Sequence, residues 1–215
     1  MIRILSRPLG VPALLLFLTA IPILIALVRM VQIPIGAAPP DVADLMTRPA
    51  LYWTHVTAGV TFGLLGPLQF GRVLAGRFGR LHRITGRVFA VAGALLAVGG
   101  IRLVLTFPGS STMLLDALRI LGGTGLLLSL ILAIRHSRAR RRAAHGAWMI
   151  RAYALGMGQS LTAFILFPVY LATGTPPVGL TADLSVAVSW ALTILAAERL
   201  ARLLLRSKYS IRTAA

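Results

Sequence analysis

Residues 77–87 read RFGRLHRITGR, with Arg77, Arg80, Arg83 and Arg87 around His82, and long apolar stretches on either side. Such a run is either a nucleic-acid patch or a segment kept on one face of a membrane. Composition favours the second. The 215 residues carry a net charge of +17, are 57% hydrophobic and only 13% charged, and the mean hydropathy is +0.85. A water-soluble domain needs more polar surface than this. An apolar chain whose few charges are mostly arginine reads as a membrane protein with basic ends. The absence of cysteine excludes disulfides, thiol nucleophiles, thiolate-held zinc and iron–sulfur clusters. No stretch looks like a linker, so one domain over residues 1–215 is expected.

A helix needs roughly 20 apolar residues to cross the hydrocarbon core. Six segments meet this, at Val11–Val31, Leu51–Phe70, Val88–Phe107, Leu114–Ile134, Ala147–Leu171 and Ala182–Leu205. Loops rich in Gly, Pro, Ser or charge separate them. The expected fold is therefore an all-α polytopic bundle of six transmembrane helices. The second to fifth spans would form its central unit, with the sixth docked on it. Arg3 and Arg7 precede the first apolar run as they would in a secretory signal. That run is longer than a signal core, however, and "GAAPPD" places Pro39 at the cleavage position, so an uncleaved span is expected. Pro12, Pro22 and Pro168 predict kinks or local unwinding inside spans.

The charges orient the bundle. With the N-terminus inside, only Arg29, Arg48, Arg102 and Arg119 of the 22 Lys and Arg fall outside, where Asp41, Asp44, Asp116 and Asp183 balance them. The inner side then holds the whole net charge. This is the positive-inside bias, with both termini in the cytoplasm. The arginines of RFGRLHRITGR are explained by orientation and by contact with anionic phospholipid. A nucleic-acid role would need basic residues interleaved with exposed aromatics, which the loops lack. Tyr52 and Trp53 mark the outer end of the second span and Trp148 the inner end of the fifth.

Histidines head stripes of small residues. At helical spacing, His55, Gly59, Gly63, Gly66 and Gln69 share a face. So do His82, Gly86, Ala90, Gly93, Ala97 and Gly100, and so do His145, Met149, Ala152, Gly156 and Ala163. Two readings stand. The stripes let helices pack closely, or they leave room for a flat cofactor beside an imidazole. In the second case, haem b would be ligated at His82 and His145, or a quinone, lipid or small anion would occupy the same pocket. A zinc site is weaker, because no H-E-x-x-H occurs and acids near the inner histidines are scarce. His136, within IRHSRARRR, reads as a solvated loop residue.

Two internal charges need partners. Arg151 lies about one turn into the fifth span, and Glu198 is the one acid on the inner side. A group at such depth is costly unless paired or functional, so Glu198 is expected to pair with Arg151 or Arg87 and tie the sixth span to the fifth or third. Outside, Arg102 or Arg119 would pair with Asp116 or Asp183; Arg119 and Asp116, three apart on one helix, fit well. LHRITGRVFAVAGAL and AHGAWMIRAYALGMG also echo one another, as after duplication of a helical hairpin.

At these motifs the chain resembles a bacterial family of predicted multi-span membrane proteins classed only as a domain of unknown function. The matching pieces are HVTAGVTFGLLGPLQF from His55, RLHRITGRVF around His82, HGAWMIRAYAL from His145, and Trp190 with Ala197–Glu198. They span Leu51 to Leu200. The resemblance implies that His55, Gln69, His82, Arg87, His145, Trp148, Arg151, Tyr153 and Glu198 form the family's polar set. Two departures stand out. Members often carry an arginine where this chain has LTAFILFP, and an asparagine where it has Thr193. The resemblance supplies no activity. Three classes remain: a membrane protein binding a lipid or small hydrophobic ligand at a His/Arg cluster near the cytoplasmic face, a haem- or quinone-binding redox protein, and a small-solute transporter. A homo-oligomer is compatible with each. An enzyme is not expected, because no Ser/His/Asp set or carboxylate pair lies at one depth.

Overall fold

In hydrocarbon no water satisfies backbone N–H and C=O groups, so apolar segments of this length become helices. The computed structural model describes residues 10–39, 42–71, 78–108, 111–175 and 178–212. Among them there are seven α-helices and no strand. These are α1 (Gly10–Gln32), α2 (Pro49–Gln69), α3 (Gly79–Thr106), α4 (Met113–Arg138), α5 (Arg142–Gly156), α6 (Thr162–Thr173) and α7 (Leu180–Arg212). Short 3-10 turns cover Asp44–Thr47 and Gly158–Leu161. Arg3, Arg7, Asp41, Arg72 and Arg77 lie outside the described residues.

The helices α1, α3, α4 and α7 (to Leu205) are long and apolar enough to cross a membrane, and the bent pair α5–α6 makes a fifth candidate span. Helix α2 has the length, 21 residues or about 31 Å. It falls short in hydropathy, because Tyr52, Thr54, His55, Thr57, Thr61 and its glycines dilute the apolar residues. The outer surface is that of a membrane protein: Phe17, Val91, Leu121 and Leu195 are 61–69% exposed, an arrangement that lipid accommodates and water does not.

The helices fall into two compact units, residues 1–110 and 111–215. This differs from a central unit made of the second to fifth spans, because α2 and α3 group with α1 while α4 and α5 group with α6 and α7. In the first unit α2 packs against both α1 and α3. The small-residue faces of α2 and α3 meet each other. The Phe62 and Phe89 rings, both fully buried, stack with centroids 4.2 Å apart. A Cβ at Gly99 or Gly100 would come within 3.2 Å of the His55 side chain, and one at Gly86 within 3.1 Å of Gln69 Oε1. Trp53 Nε1 donates to the Met30 carbonyl at 3.1 Å and ties the start of α2 to the end of α1.

In the second unit α5 packs against α4 and α7. The expected fifth span is two helices meeting at a 51° bend. The bend is not at Pro168, which lies inside α6, but at Met157 and the 3-10 turn that follows it. Helix α1 likewise runs unbroken past Pro22. The cause of the bend is packing: the Trp190 indole of α7 fills the place where a side chain at Gly158 would sit, and it also lies within 2.8 Å of where a Cβ at Gly122 would be. Two carbonyls near the break are recaptured by α7. Trp190 Nε1 donates to Leu155 O at 3.1 Å, and Ser189 Oγ donates to Gly158 O.

Hydropathy also shortened several helices. Helix α3 begins at Gly79, so Arg80, His82, Arg83 and Arg87 are helical rather than in a loop. His136 is in the last turn of α4 and half-buried, not in a solvated loop. Helical hydrogen bonding continues past the hydrocarbon edge, where charges end an apolar run without ending the helix.

Candidate functional site

The polar set divides between the two units. In the first, His55 Nδ1 donates to the Leu96 carbonyl of α3 at 3.0 Å, a proton placement fixed by the carbonyl's being an acceptor. Gln69, at the other end of α2, donates from Nε2 to Thr85 Oγ1 at 2.7 Å. Thr85 in turn donates to Leu81 O at 2.8 Å. His82 is half-buried in the first turn of α3, and Arg87 is exposed on the same helix. His55 and His82 therefore stand at opposite ends of the α2–α3 pair, as their spacing implied.

In the second unit, His145 Nδ1 donates to the Ala133 carbonyl of α4 at 2.9 Å. Two turns further along α5, Arg151 meets Glu198 of α7 as a fork: Nε to Oε2 at 2.9 Å and a terminal nitrogen to Oε1 at 3.1 Å. This bidentate geometry is the stronger form of a carboxylate pair. Of the two partners the sequence offered Glu198, the structure gives Arg151. A second arginine joins it, with Arg202 Nε donating to Glu198 Oε1 at 3.0 Å. The Arg151 guanidinium also lies over the Trp148 ring, 4.6 Å from its centroid, a cation–π contact. Two guanidiniums share one carboxylate, so one positive charge is left over. Arg151 is 23% exposed and Arg202 68%. Arg199, next to Glu198, is exposed, as are Leu200 and Leu203. Tyr153 is buried.

The other end of this unit holds a second polar cluster. Thr112 Oγ1 accepts from the Leu115 amide at 3.2 Å as the N-cap of α4, and it donates to the buried Asp183 of α7. Arg119 donates to Ser111 Oγ at 2.9 Å, and Ser111 donates to Asp116. The expected Arg119–Asp116 link thus runs through a serine.

The stripes beside His55 and His145 are filled. Across from His55 lie Gly99 and Gly100. Along the His145 face Ala152 is fully buried and Met149 nearly so, and a Cβ at Gly146 would come within 2.9 Å of Leu204. Space that a porphyrin would use on these faces is taken by neighbouring helices. Among the described residues no three His, Asp or Glu side chains gather as they would around a metal. The sequence did not single out Trp190 as a packing anchor, nor Arg202 or Thr112. The Gly158–Trp190 contact links residues 32 apart with no shared periodicity, whereas Arg202 at i+4 from Glu198 was readable.

No curated protein and no solved structure gives a significant match to the chain. One family model does match, over residues 52–201, running from the first turn of α2 into α7 and including every residue of the polar set. With its described residues helical and free of strands, four to five candidate spans among them and this match, the chain belongs to the DUF2306 family of predicted membrane proteins.

Proposed function

We propose that the protein is a six-span, N-in/C-in protein of the bacterial inner membrane that holds an anionic phospholipid, or a small hydrophobic anion, at the Trp148–Arg151–Glu198–Arg202 cluster. The sixth span would be α2. A helix flanked by α1 and α3 needs less apolar character than one surrounded by lipid, and α2 buries Val56, Ala58, Val60, Phe62, Gly63, Gly66 and Pro67. An even number of spans places both ends on the arginine-rich side.

The surplus positive charge of the cluster carries the reading. Arg151 is oriented by Glu198 and Trp148, while Arg199 and Arg202 stand beside exposed Leu200 and Leu203. That suits a ligand with an anionic head and an apolar tail. Each basic residue near an anionic surface contributes about 1 kcal/mol. The double variant Arg199→Gln/Arg202→Gln is therefore expected to retain phosphatidylglycerol about thirtyfold more weakly than the wild type in native mass spectrometry at low salt. The difference should shrink at ~0.5 M salt. Equal retention of phosphatidylglycerol and phosphatidylcholine by both proteins would refute the site.

The broken span favours transport as a second reading. Discontinuous helices in transporters expose backbone groups that coordinate protons or sodium. Here the turn at Gly158–Leu161 contains the buried Ser160, and its Gly158 carbonyl accepts from the buried Ser189 of α7. Proteoliposomes with entrapped pH- or sodium-sensitive dyes test it: proton or sodium flux reduced by Ser160→Ala supports transport, and leakage equal to protein-free vesicles ends it.

A further inference from the structure

We propose that a cleft in the first unit, formed by the start of α2 and the end of α3, binds a tetrahedral phosphate-type oxyanion between Arg48 and Arg102. This site is separate from the cluster on α5 and α7 and does not depend on it. The cleft has a volume of about 560 Å³ and is lined by Thr47, Arg48, Pro49, Ala50, Leu51, Arg102 and Thr106. That is within the range of small-ligand sites, roughly 300–1,000 Å³. Among the described residues its two charged side chains, both exposed, are Arg48 at the N-cap of α2 and Arg102 in α3, and they have the same sign. Among the described residues no carboxylate lines it.

Among the described residues neither guanidinium has a hydrogen-bond or ion-pair partner, although Asp44 is only four residues from Arg48. This contrasts with Arg119 and Arg151, whose donors are engaged by side chains. Two like charges on one cleft at the edge of an apolar body repel until an anion stands between them. The fork geometry of arginine matches the oxygens of a phosphate group better than a single monovalent ion. The first turn of the 21-residue α2, which has no side-chain cap, adds the positive end of its dipole. Leu51 in the lining and the exposed Leu105 beside Thr106 offer apolar contact to an acyl chain. Both a phospholipid headgroup and free phosphate would satisfy this chemistry.

The experiment uses the full chain, delipidated in a neutral detergent, with two probes. One is inorganic phosphate, followed by calorimetry. The other is short-chain phosphatidylglycerol, followed by native mass spectrometry against phosphatidylcholine. Arg48→Gln and Arg102→Gln are each expected to weaken binding about tenfold, and the double variant to abolish it. Arg48→Lys/Arg102→Lys keeps the charge, removes the forks, and is expected to lose severalfold affinity with an unchanged helical circular dichroism spectrum. Arginine-dependent binding of both probes marks the cleft as a site for free phosphate. Arginine-dependent binding of phosphatidylglycerol alone assigns it to a lipid headgroup, and Leu51→Ala should then weaken that binding. Failure of both probes to saturate the wild type, or wild-type affinity in the double glutamine variant, overturns the proposal.

Discussion

Trp190→Ala is expected to cost about 3 kcal/mol of stability, the usual range for truncating a buried aromatic residue, and Gly158→Ala to cost a comparable amount. The two effects have one cause. The indole occupies the place where a side chain at residue 158 would sit, and a Cβ at Gly158 would overlap it. The substitution Gly158→Ala therefore forces out either the ring or the turn. Trp190→Ala leaves a void next to Gly122 and frees the Leu155 carbonyl that the indole N–H satisfies. Hydrophobic driving force between helices is weak in lipid, so lost contact and lost hydrogen bonding make up most of the cost. In the double variant Gly158→Ala/Trp190→Ala the new methyl enters space vacated by the ring. Its stability loss should be clearly less than the sum of the single losses. Thermal unfolding in detergent checks this, and additive losses would show that Trp190 does not fill the break.

The second large effect is at the Arg151–Glu198 fork. Arg151→Gln should lower the melting temperature in detergent by about 5 °C, against ~1 °C or less for Arg202→Gln. The two arginines bind the same carboxylate but differ in setting. Arg151 makes two hydrogen bonds and a ring contact while three-quarters covered, whereas Arg202 makes one bond and is 68% exposed. Solvent screens the Arg202 pair, and its side chain surrenders more freedom for less return. Arg151→Lys should recover little, because an ammonium cannot make the fork or stack on Trp148 in the same way. Equal shifts for Arg151→Gln and Arg202→Gln would mean that the carboxylate is solvated in both pairs.

What the sequence made legible follows from which forces are local. Apolar run length located the helices, because spanning a bilayer is a matter of counting. Depth singled out Glu198, since a lone acid beyond a long apolar run requires a cation. The glycine stripe on α2 was readable as a packing surface, and its occupants, Gly99 and Gly100 against His55, follow the antiparallel pairing of α2 with α3. The bend near Met157 was not legible. Proline is the local signal for a kink, yet this break depends on a tryptophan from another helix meeting a glycine. Helix ends were missed for a related reason. Arg80 and Arg83 end an apolar pattern but are good helix formers, so hydropathy and hydrogen bonding stop at different residues. The serine between Arg119 and Asp116 was equally invisible, because charge arithmetic counts only charges.

Helix α7 is held near its start, by Thr112 on Asp183, and in its middle, by Arg151 on Glu198. The anchor residues are fifteen positions apart, about 22 Å of helix rise, so the distance between the two clamps is set by the polypeptide and not by the surrounding lipid. In a bilayer thinner or thicker than this unit prefers, α7 cannot slide or rotate alone to relieve hydrophobic mismatch. Its neighbours in the second unit must tilt with it.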